Sequence, residues 1–152
     1  MEENKAEFGT IQYIVVKIGS EQYGIDIKYV DNIVRMQKIT RVPKIQSYFK
    51  GVINLRGEIV PVMSLRLKMS QPETELTGAA RIIIVKLEPQ SAIGIIVDEV
   101  REVVTLEGDE IEKVSYDAKD DRGRYINGIG KHAGELISLL ELNEVIGERE
   151  NA

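Results

Sequence analysis

The sequence predicts a mainly-β protein made of two related lobes. Its apolar residues fall in short runs rich in β-branched side chains, separated by Gly, Pro, Ser, Glu and Gln, which is the pattern of strands and turns. The chain also repeats itself, with glycines at matching places in the two copies. At 152 residues, 43% of them apolar and 30% charged, it is long enough to bury a core without disulfide bonds.

The order of these runs defines the predicted elements. Strands are predicted over residues 11–18, 25–27, 59–63, 81–87, 94–97 and 135–140. Two helical patterns interrupt them. Val30, Ile33 and Val34 have the spacing of one helix face, and the apolar residues of 142–146 predict a C-terminal helix that ends before Gly147.

Three blocks of sequence recur in the same order along the chain. The matching blocks are 14–18 and 83–87, 24–34 and 94–104, and 51–63 and 128–140. The corresponding glycines are Gly24 and Gly94, Gly51 and Gly128, and Gly57 and Gly134. Each copy is too short for a comfortable core of its own, so the two lobes should share apolar surface. Closing each lobe into a small barrel would remove exposed strand edges.

The repeat predicts a single domain over residues 10–148, made of two intertwined lobes. The first repeat spans about 11–69 and the second about 80–147, and the first strands can be exchanged between the lobes. The remaining residues, 1–9 and 149–152, are expected to be flexible tails.

The composition excludes several kinds of chemistry. Because the chain has no Cys, it has no disulfide scaffold, thiolate metal site or cysteine nucleophile, and the lone His132 cannot form an imidazole cluster. The N-terminal residues are acidic and polar, unlike a signal peptide, and no apolar run approaches the roughly 20 residues of a membrane-spanning helix. We therefore expect a cytoplasmic protein without membrane insertion.

No motif for catalysis, a cofactor or a metal stands out. The charged segment 107–125 fails as a calcium loop because Arg122 stands where such a loop needs glycine, and we expect a mobile surface loop there. The glycines of 128–134 fit a hairpin turn better than a phosphate-binding loop. Asp98 and Glu99 are adjacent acids that fit a solvated face. The protein is therefore not expected to be an enzyme or to need a cofactor.

Charge is distributed unevenly along the chain. The first 76 residues carry a net charge of +2 and the other 76 a net charge of −7. No acid occurs between Asp31 and Glu58, although six basic residues do. They are Arg35, Lys38, Arg41, Lys44, Lys50 and Arg56.

Two kinds of partner fit this basic segment, which runs from Arg35 to Arg56. The first is a protein partner whose surface is acidic or of mixed charge. The alternative is a single-stranded nucleic acid that stacks on Tyr48 and Phe49. The overall net charge of −5 opposes that alternative, since it repels phosphate at long range.

Six apolar side chains follow the second strand of each copy and would flank a seam between the lobes. They are Val30, Ile33, Val34, Val100, Val103 and Val104. We expect at least half of them to be core. The others would line an apolar groove of the type that accepts a partner helix or hairpin.

Five stretches of the sequence, in order and spacing, resemble the CheW family of chemotaxis coupling proteins. They are Tyr23-Gly-Ile-Asp-Ile27, Val42-Pro43, Phe49-Lys-Gly-Val-Ile-Asn-Leu-Arg-Gly57, Ile59-Val-Pro-Val62 and Gly94-Ile-Ile-Val-Asp-Glu-Val100. The resemblance covers about residues 12–146, and Gly-Val-Ile-Asn-Leu-Arg-Gly is its most specific part. The same module occurs in the kinase CheA and in CheV. Since the chain ends directly after it, a stand-alone adaptor is expected.

The resemblance implies a non-catalytic adaptor of two small five-stranded β-barrels with short helices. Such an adaptor joins chemoreceptor signalling tips to the regulatory domain of the histidine kinase CheA, and so regulates the kinase in cytoplasmic arrays at the membrane. In the family, the groove between the lobes takes the receptor's helical hairpin. Contacts between adaptors in these arrays remain an open alternative.

The resemblance also implies two sets of binding residues. The receptor-binding residues are Val30, Ile33, Gly51, Arg56, Gly94, Val100 and Val103. The kinase-binding residues are Val42, Pro43, Lys44 and Ile45. Many relatives carry Glu where this chain has Asn32, and that acid can pair with the motif arginine. Here Asn32 could only hydrogen-bond Arg56, so we expect either a weaker contact or the neighbouring Asp31 in place of the missing acid.

Overall fold

The computed structural model describes residues 9–89, 91–113 and 124–147, and strands dominate them. The strands are β1 (Thr10–Ile18), β2 (Glu21–Asp26), β3 (Val30–Arg35), β4 (Phe49–Leu55), β5 (Glu58–Ser64), β6 (Arg81–Glu88), β7 (Ser91–Val97), β8 (Glu99–Glu107), β9 (Ile111–Lys113), β10 (Ile126–His132) and β11 (Glu135–Leu140). The helices are α1 (Leu65–Lys68) and α2 (Leu142–Ile146). The predicted mainly-β class is confirmed. The predicted tails, apart from residue 9, and the middle of the predicted mobile loop lie outside the described residues.

The chain divides into two compact units. Unit 1 comprises Met1–Lys28 and Arg101–Ala152, and unit 2 comprises Tyr29–Val100. The sheet of unit 1 has the strand order β8-β1-β2-β11-β10-β9, and that of unit 2 the order β3-β6-β7-β5-β4. Each unit therefore combines a hairpin from one repeat with a hairpin from the other. The short β9 gives the sheet of unit 1 a sixth strand where five were expected.

In unit 1 the hairpin of β1 and β2 joins the hairpin of β10 and β11 through a parallel pair. In that pair Leu139 of β11 lies opposite Gly24 of β2. A Cβ at Gly24 would lie 2.9 Å from Leu139 Cδ2, so only glycine lets the leucine pack over this strand. The hydrophobic core of unit 1 includes a cluster of buried side chains, which are Tyr13, Val15, Val104, Leu106, Ile137 and Leu139.

Unit 2 repeats this arrangement with the other pair of hairpins. β5 and β7 are parallel, with Val62 opposite Gly94, and a Cβ at Gly94 would lie 2.7 Å from Ile82 Cγ2. The core is formed by Ile53, Val60, Val62, Ile82, Ile84 and Ile96. Burying each such side chain contributes about 1.5–3 kcal/mol, so this aliphatic cluster is the main stabilising element of the unit.

One predicted helix is wrong and the other is confirmed. The segment with Val30, Ile33 and Val34 is strand β3, which pairs antiparallel with β6. A buried aliphatic strand such as β6 needs hydrogen-bonding partners on both sides, and this requirement overrides a spacing that also fits a helix. The C-terminal helix forms as predicted over Leu142–Ile146 and ends before Gly147.

The segment between β3 and β4 is attached to β4 by one backbone bridge. Thr40 and Val52 exchange two hydrogen bonds, of 2.8 and 2.9 Å. Gly51 has a φ of 140°, and a Cβ there would collide with the carbonyl oxygen of Thr40. Glycine at this position is therefore required for the segment to approach β4.

We predict that Gly51→Ala lowers the free energy of unfolding by about 2 kcal/mol or more, because it adds a backbone clash to a disfavoured φ. Gly57→Ala is the matched control: Gly57 has a φ of 84°, but a Cβ there would meet nothing within 4 Å. This control should lose only about 1 kcal/mol. Urea unfolding of both variants measures the difference, and equal losses would contradict the role assigned to Thr40.

Candidate functional site

The receptor-binding candidates fall in both units. Val30, Ile33, Gly51, Arg56, Gly94 and Val100 belong to unit 2 and Val103 to unit 1. Two of them, Ile33 and Val103, are exposed large apolar side chains, with 39% and 50% of their surface accessible. Their exposure leaves both side chains accessible to a partner.

The expectation that at least half of the six seam residues are core is wrong. Val104 is 3% exposed and Val34 packs against the core of unit 2. Val30 and Val100 are half-buried, and Ile33 and Val103 are exposed. The alternation along β8 explains why Val103 is exposed and Val104 is buried, because successive residues of a strand point to opposite faces.

The glycines among the receptor candidates are buried. Gly94 lies in the middle of the five-stranded sheet, and Gly51 lies under the segment that carries Thr40. Both positions exclude a side chain for reasons of packing within unit 2. Any part they play in binding therefore acts through the shape of the sheet and hairpin.

Arg56 lies at the tip of the hairpin formed by β4 and β5. Arg56 and Gly57 have φ values of 55° and 84°, two consecutive left-handed residues that match the twist of a tight hairpin. The Asn54 carboxamide oxygen accepts a 2.9 Å hydrogen bond from the Gly57 N–H and fixes the turn. The turn thus holds an exposed guanidinium at a defined place.

The predicted hydrogen bond between Asn32 and Arg56 is wrong. Asn32 Oδ1 is buried, and within the described part of the chain it has no hydrogen-bond partner. β3 and β4 are the two outer strands in the sheet order of unit 2, so Asn32 and the turn after β4 are not neighbours in the sheet. Asp31 is exposed, and its substitution for the family's Glu stays a prediction.

The kinase-binding candidates lie on the segment between β3 and β4. Pro43 and Lys44 form a turn in which Lys44 has a φ of 63°, and Val42 and Ile45 on either side are 37% and 40% exposed. Proline followed by a residue with positive φ is the pattern of a type II turn. The segment borders an open depression of about 550 Å³, called the basic groove below.

A second cavity of unit 2 involves Arg66, which the sequence did not single out, and Asp98, which was expected on a solvated face but is part-buried in an ion pair with Arg66. It measures about 340 Å³ and lies beside residues 71–76, called the strap below. Arg66 Nε and Nη2 donate hydrogen bonds of 3.1 and 2.7 Å to the two carboxylate oxygens of Asp98, and Nη1 donates one of 3.0 Å to the carbonyl of Pro72. The hydrogen bond to Asp98 raises the pKa of Arg66 above its usual value. Arg66 therefore remains a fixed cation that ties the strap to the sheet.

The nucleic-acid alternative finds no support in the aromatic side chains of the basic segment. Tyr48 and Phe49 pack against each other with ring centroids 5.1 Å apart, and Lys68 Nζ lies 3.9 Å from the centroid of Tyr48. The tyrosine face that a base would stack on is thus covered by a cation from the same unit.

Among residues 9–89, 91–113 and 124–147, no group of three His, Asp or Glu side chains is placed to hold a metal ion. No helix in these ranges has the length and apolar character needed to cross a membrane.

The chain is similar in sequence and in fold to known proteins of one family. Residues 12–150 match the family model described as CheW-like domain. The chain is 37% identical to the chemotaxis protein CheW of Bacillus subtilis (strain 168), over 88% of this chain and 85% of that protein. It is 30% identical to the chemotaxis protein CheW of Klebsiella aerogenes, over 93% of this chain and 84% of that protein.

The fold is similar to the crystal structure of the scaffolding protein TtCheW from Thermoanaerobacter tengcongensis. The TM-score is 0.82 at 30% sequence identity, covering 91% of this chain and 94% of that one. Sequence family, named relatives and fold therefore agree, and the chain belongs to the CheW-like domain family.

Proposed function

We propose that this protein is a non-catalytic adaptor of bacterial chemotaxis, which couples chemoreceptor signalling tips to the histidine kinase CheA and regulates the kinase. The observation that carries the proposal is the CheW-like domain match over residues 12–150. The exposed apolar side chains of the described residues fit that role, because an adaptor acts through its surfaces. In the cell it would be cytoplasmic and recruited to receptor arrays at the membrane.

The proposed receptor-binding residues lie in both units and comprise apolar side chains and one cation. Ile33 and Val103 are the exposed members, and Val30 and Val100 are half-buried beside them in sequence. Aliphatic groups of this kind fit the apolar stripe of a helical hairpin. Arg56, held by its tight turn, supplies a charged hydrogen-bond donor that favours one orientation of the partner.

The proposed kinase surface is the turn of Val42, Pro43, Lys44 and Ile45. It presents two exposed aliphatic side chains on a backbone that proline and the bridge at Thr40 already restrict. A restricted loop loses little entropy on binding, so modest contacts are sufficient for a specific complex.

The proposed mechanism is scaffolding. An adaptor that binds receptor and kinase together changes kinase activity only if its contacts differ in strength between the active and inactive arrangements. Co-sedimentation of the protein with receptor fragment and kinase, scored by kinase activation, tests this function directly. The proposal fails if the protein neither sediments with them nor changes kinase activity.

We predict that Arg56→Glu preserves folding but weakens co-sedimentation with receptor and kinase by about tenfold, because it reverses the charge of an exposed anchor. Ala133→Glu is the matched control. Ala133 occupies the equivalent turn position in unit 1, with a φ of 52° against 55° for Arg56. The control should assemble normally, and equal behaviour of the two variants would contradict the role of Arg56.

We predict that Val103→Asp lowers receptor binding by about tenfold and kinase binding much less, because it places a charge on an exposed apolar contact. The fold should survive, since half of the Val103 surface is accessible. Val104→Asp tests the opposite face of the same strand and should lower the free energy of unfolding, because Val104 is core. Circular dichroism melting and separate receptor and kinase pull-downs distinguish the two effects.

A further inference from the structure

The two depressions of unit 2 adjoin each other. The cavity beside the strap and the basic groove share two lining residues, Ile39 and Lys50. On the strap side, Glu73 forms a 2.7 Å ion pair with Lys50, and Leu76 lies in the wall together with Ile39. The strap thus presents a carboxylate and, three residues later, an aliphatic side chain to this shared boundary.

On the other side, the basic groove offers cations and aliphatic groups, and of its cations Lys50 already pairs with Glu73 of the strap. Its cationic lining residues are Arg41, Lys44 and Lys50, and its lining contains no Asp or Glu. In the described part of the chain Arg41 and Lys44 form no ion pair. The aliphatic side chains of Val42 and Ile45 are exposed beside them.

The surrounding sequence carries the same sign of charge. Unit 2 contains ten basic and seven acidic residues, whereas unit 1 contains ten basic and eighteen acidic residues. The groove therefore lies in the positive half of an acidic protein. An acidic ligand is favoured at this surface and repelled by the rest of the chain.

We propose that the basic groove binds an acidic segment of a protein partner in which a carboxylate is followed three residues later by an aliphatic side chain. The strap provides the internal example, since Glu73 pairs with Lys50 and Leu76 lines the same cavity as Ile39 on the neighbouring side. Arg41 and Lys44 would hold the carboxylate, and Val42 and Ile45 would cover the aliphatic group. This inference rests on the proposed kinase-facing turn and names the chemistry of the segment that the turn accepts.

The probe for the test is a synthetic peptide of residues 71–78, Gln-Pro-Glu-Thr-Glu-Leu-Thr-Gly, titrated into the ¹⁵N-labelled full chain. The amide signals of residues 39–50 should shift and saturate. A peptide with both glutamates replaced by glutamine, and one with leucine replaced by serine, should each bind at least tenfold more weakly. Shifts spread over both units, or equal binding of the three peptides, would overturn the inference.

Protein variants locate the site. Lys44→Glu should weaken peptide binding about tenfold, and Lys44→Gly should also weaken it while relieving the positive φ of this residue. Lys131→Glu reverses an exposed lysine of unit 1 and is the matched control, which should bind the peptide like the unmodified protein. Equal losses in Lys44→Glu and Lys131→Glu would show only general charge attraction and would overturn the inference.

A second pair of variants tests the shared role of Lys50. Glu73→Gln frees Lys50 from its ion pair and should tighten peptide binding about twofold to threefold. Glu75→Gln makes the same change of charge two residues away, at a glutamate that forms no ion pair in the described residues, and should leave binding unchanged. If the two variants bind the peptide with the same affinity, Lys50 takes no part in peptide binding, and this contradicts its proposed role in both depressions.

Kinase co-sedimentation separates this inference from the proposed function. If Lys44→Glu loses the peptide but still sediments with the kinase, the groove is supported and the kinase-facing assignment of the turn fails. If the peptide does not bind while Ile45→Ser loses the kinase, the kinase surface is supported and the acidic-segment inference is overturned.

Discussion

Each sheet of this protein depends on one parallel strand pair in which a glycine lies opposite an aliphatic side chain. Gly24 meets Leu139 between β2 and β11, and Gly94 meets Val62 between β7 and β5. The partners in each pair come from different repeats, so the pairing closes a long loop and must offset its entropy. The glycines make this possible because a Cβ at either position would overlap an aliphatic side chain packed against it.

The exposed features of unit 2 follow from the pairing of β5 with β7. This pairing fixes the hairpin of β4 and β5, whose tip carries Arg56. Gly51 in the same hairpin lets Thr40 bridge to Val52, and that bridge holds the segment with Val42 and Ile45 against the sheet. A buried packing constraint thus determines where the exposed binding candidates lie, and loops positioned by a rigid scaffold are where binding residues concentrate.

The internal repeat predicted the hairpins and the matching glycines because both are local signals that recur at a fixed spacing. It did not predict β3, since Val30, Ile33 and Val34 fit a helix face as well as a strand, and only the presence of β6 decides between them. The Arg66 and Asp98 pair was also missed, because 32 residues separate the two and no spacing rule joins them. Pairings between distant parts of the chain depend on the tertiary fold, and a single sequence carries no local signal for them.

The two hairpin tips separate what the fold requires from what it leaves free. Arg56 and Gly57 have nearly the same φ values as Ala133 and Gly134, so both repeats keep a tight turn with a left-handed residue before its glycine. A left-handed L-residue costs about 1–2 kcal/mol, and both tips accept that cost to keep the turn. The side chain at this position is unconstrained by the turn, because alanine serves in one unit and arginine in the other. The guanidinium of Arg56 therefore has no structural task that the turn itself imposes, and it is free to make the partner contact proposed for it.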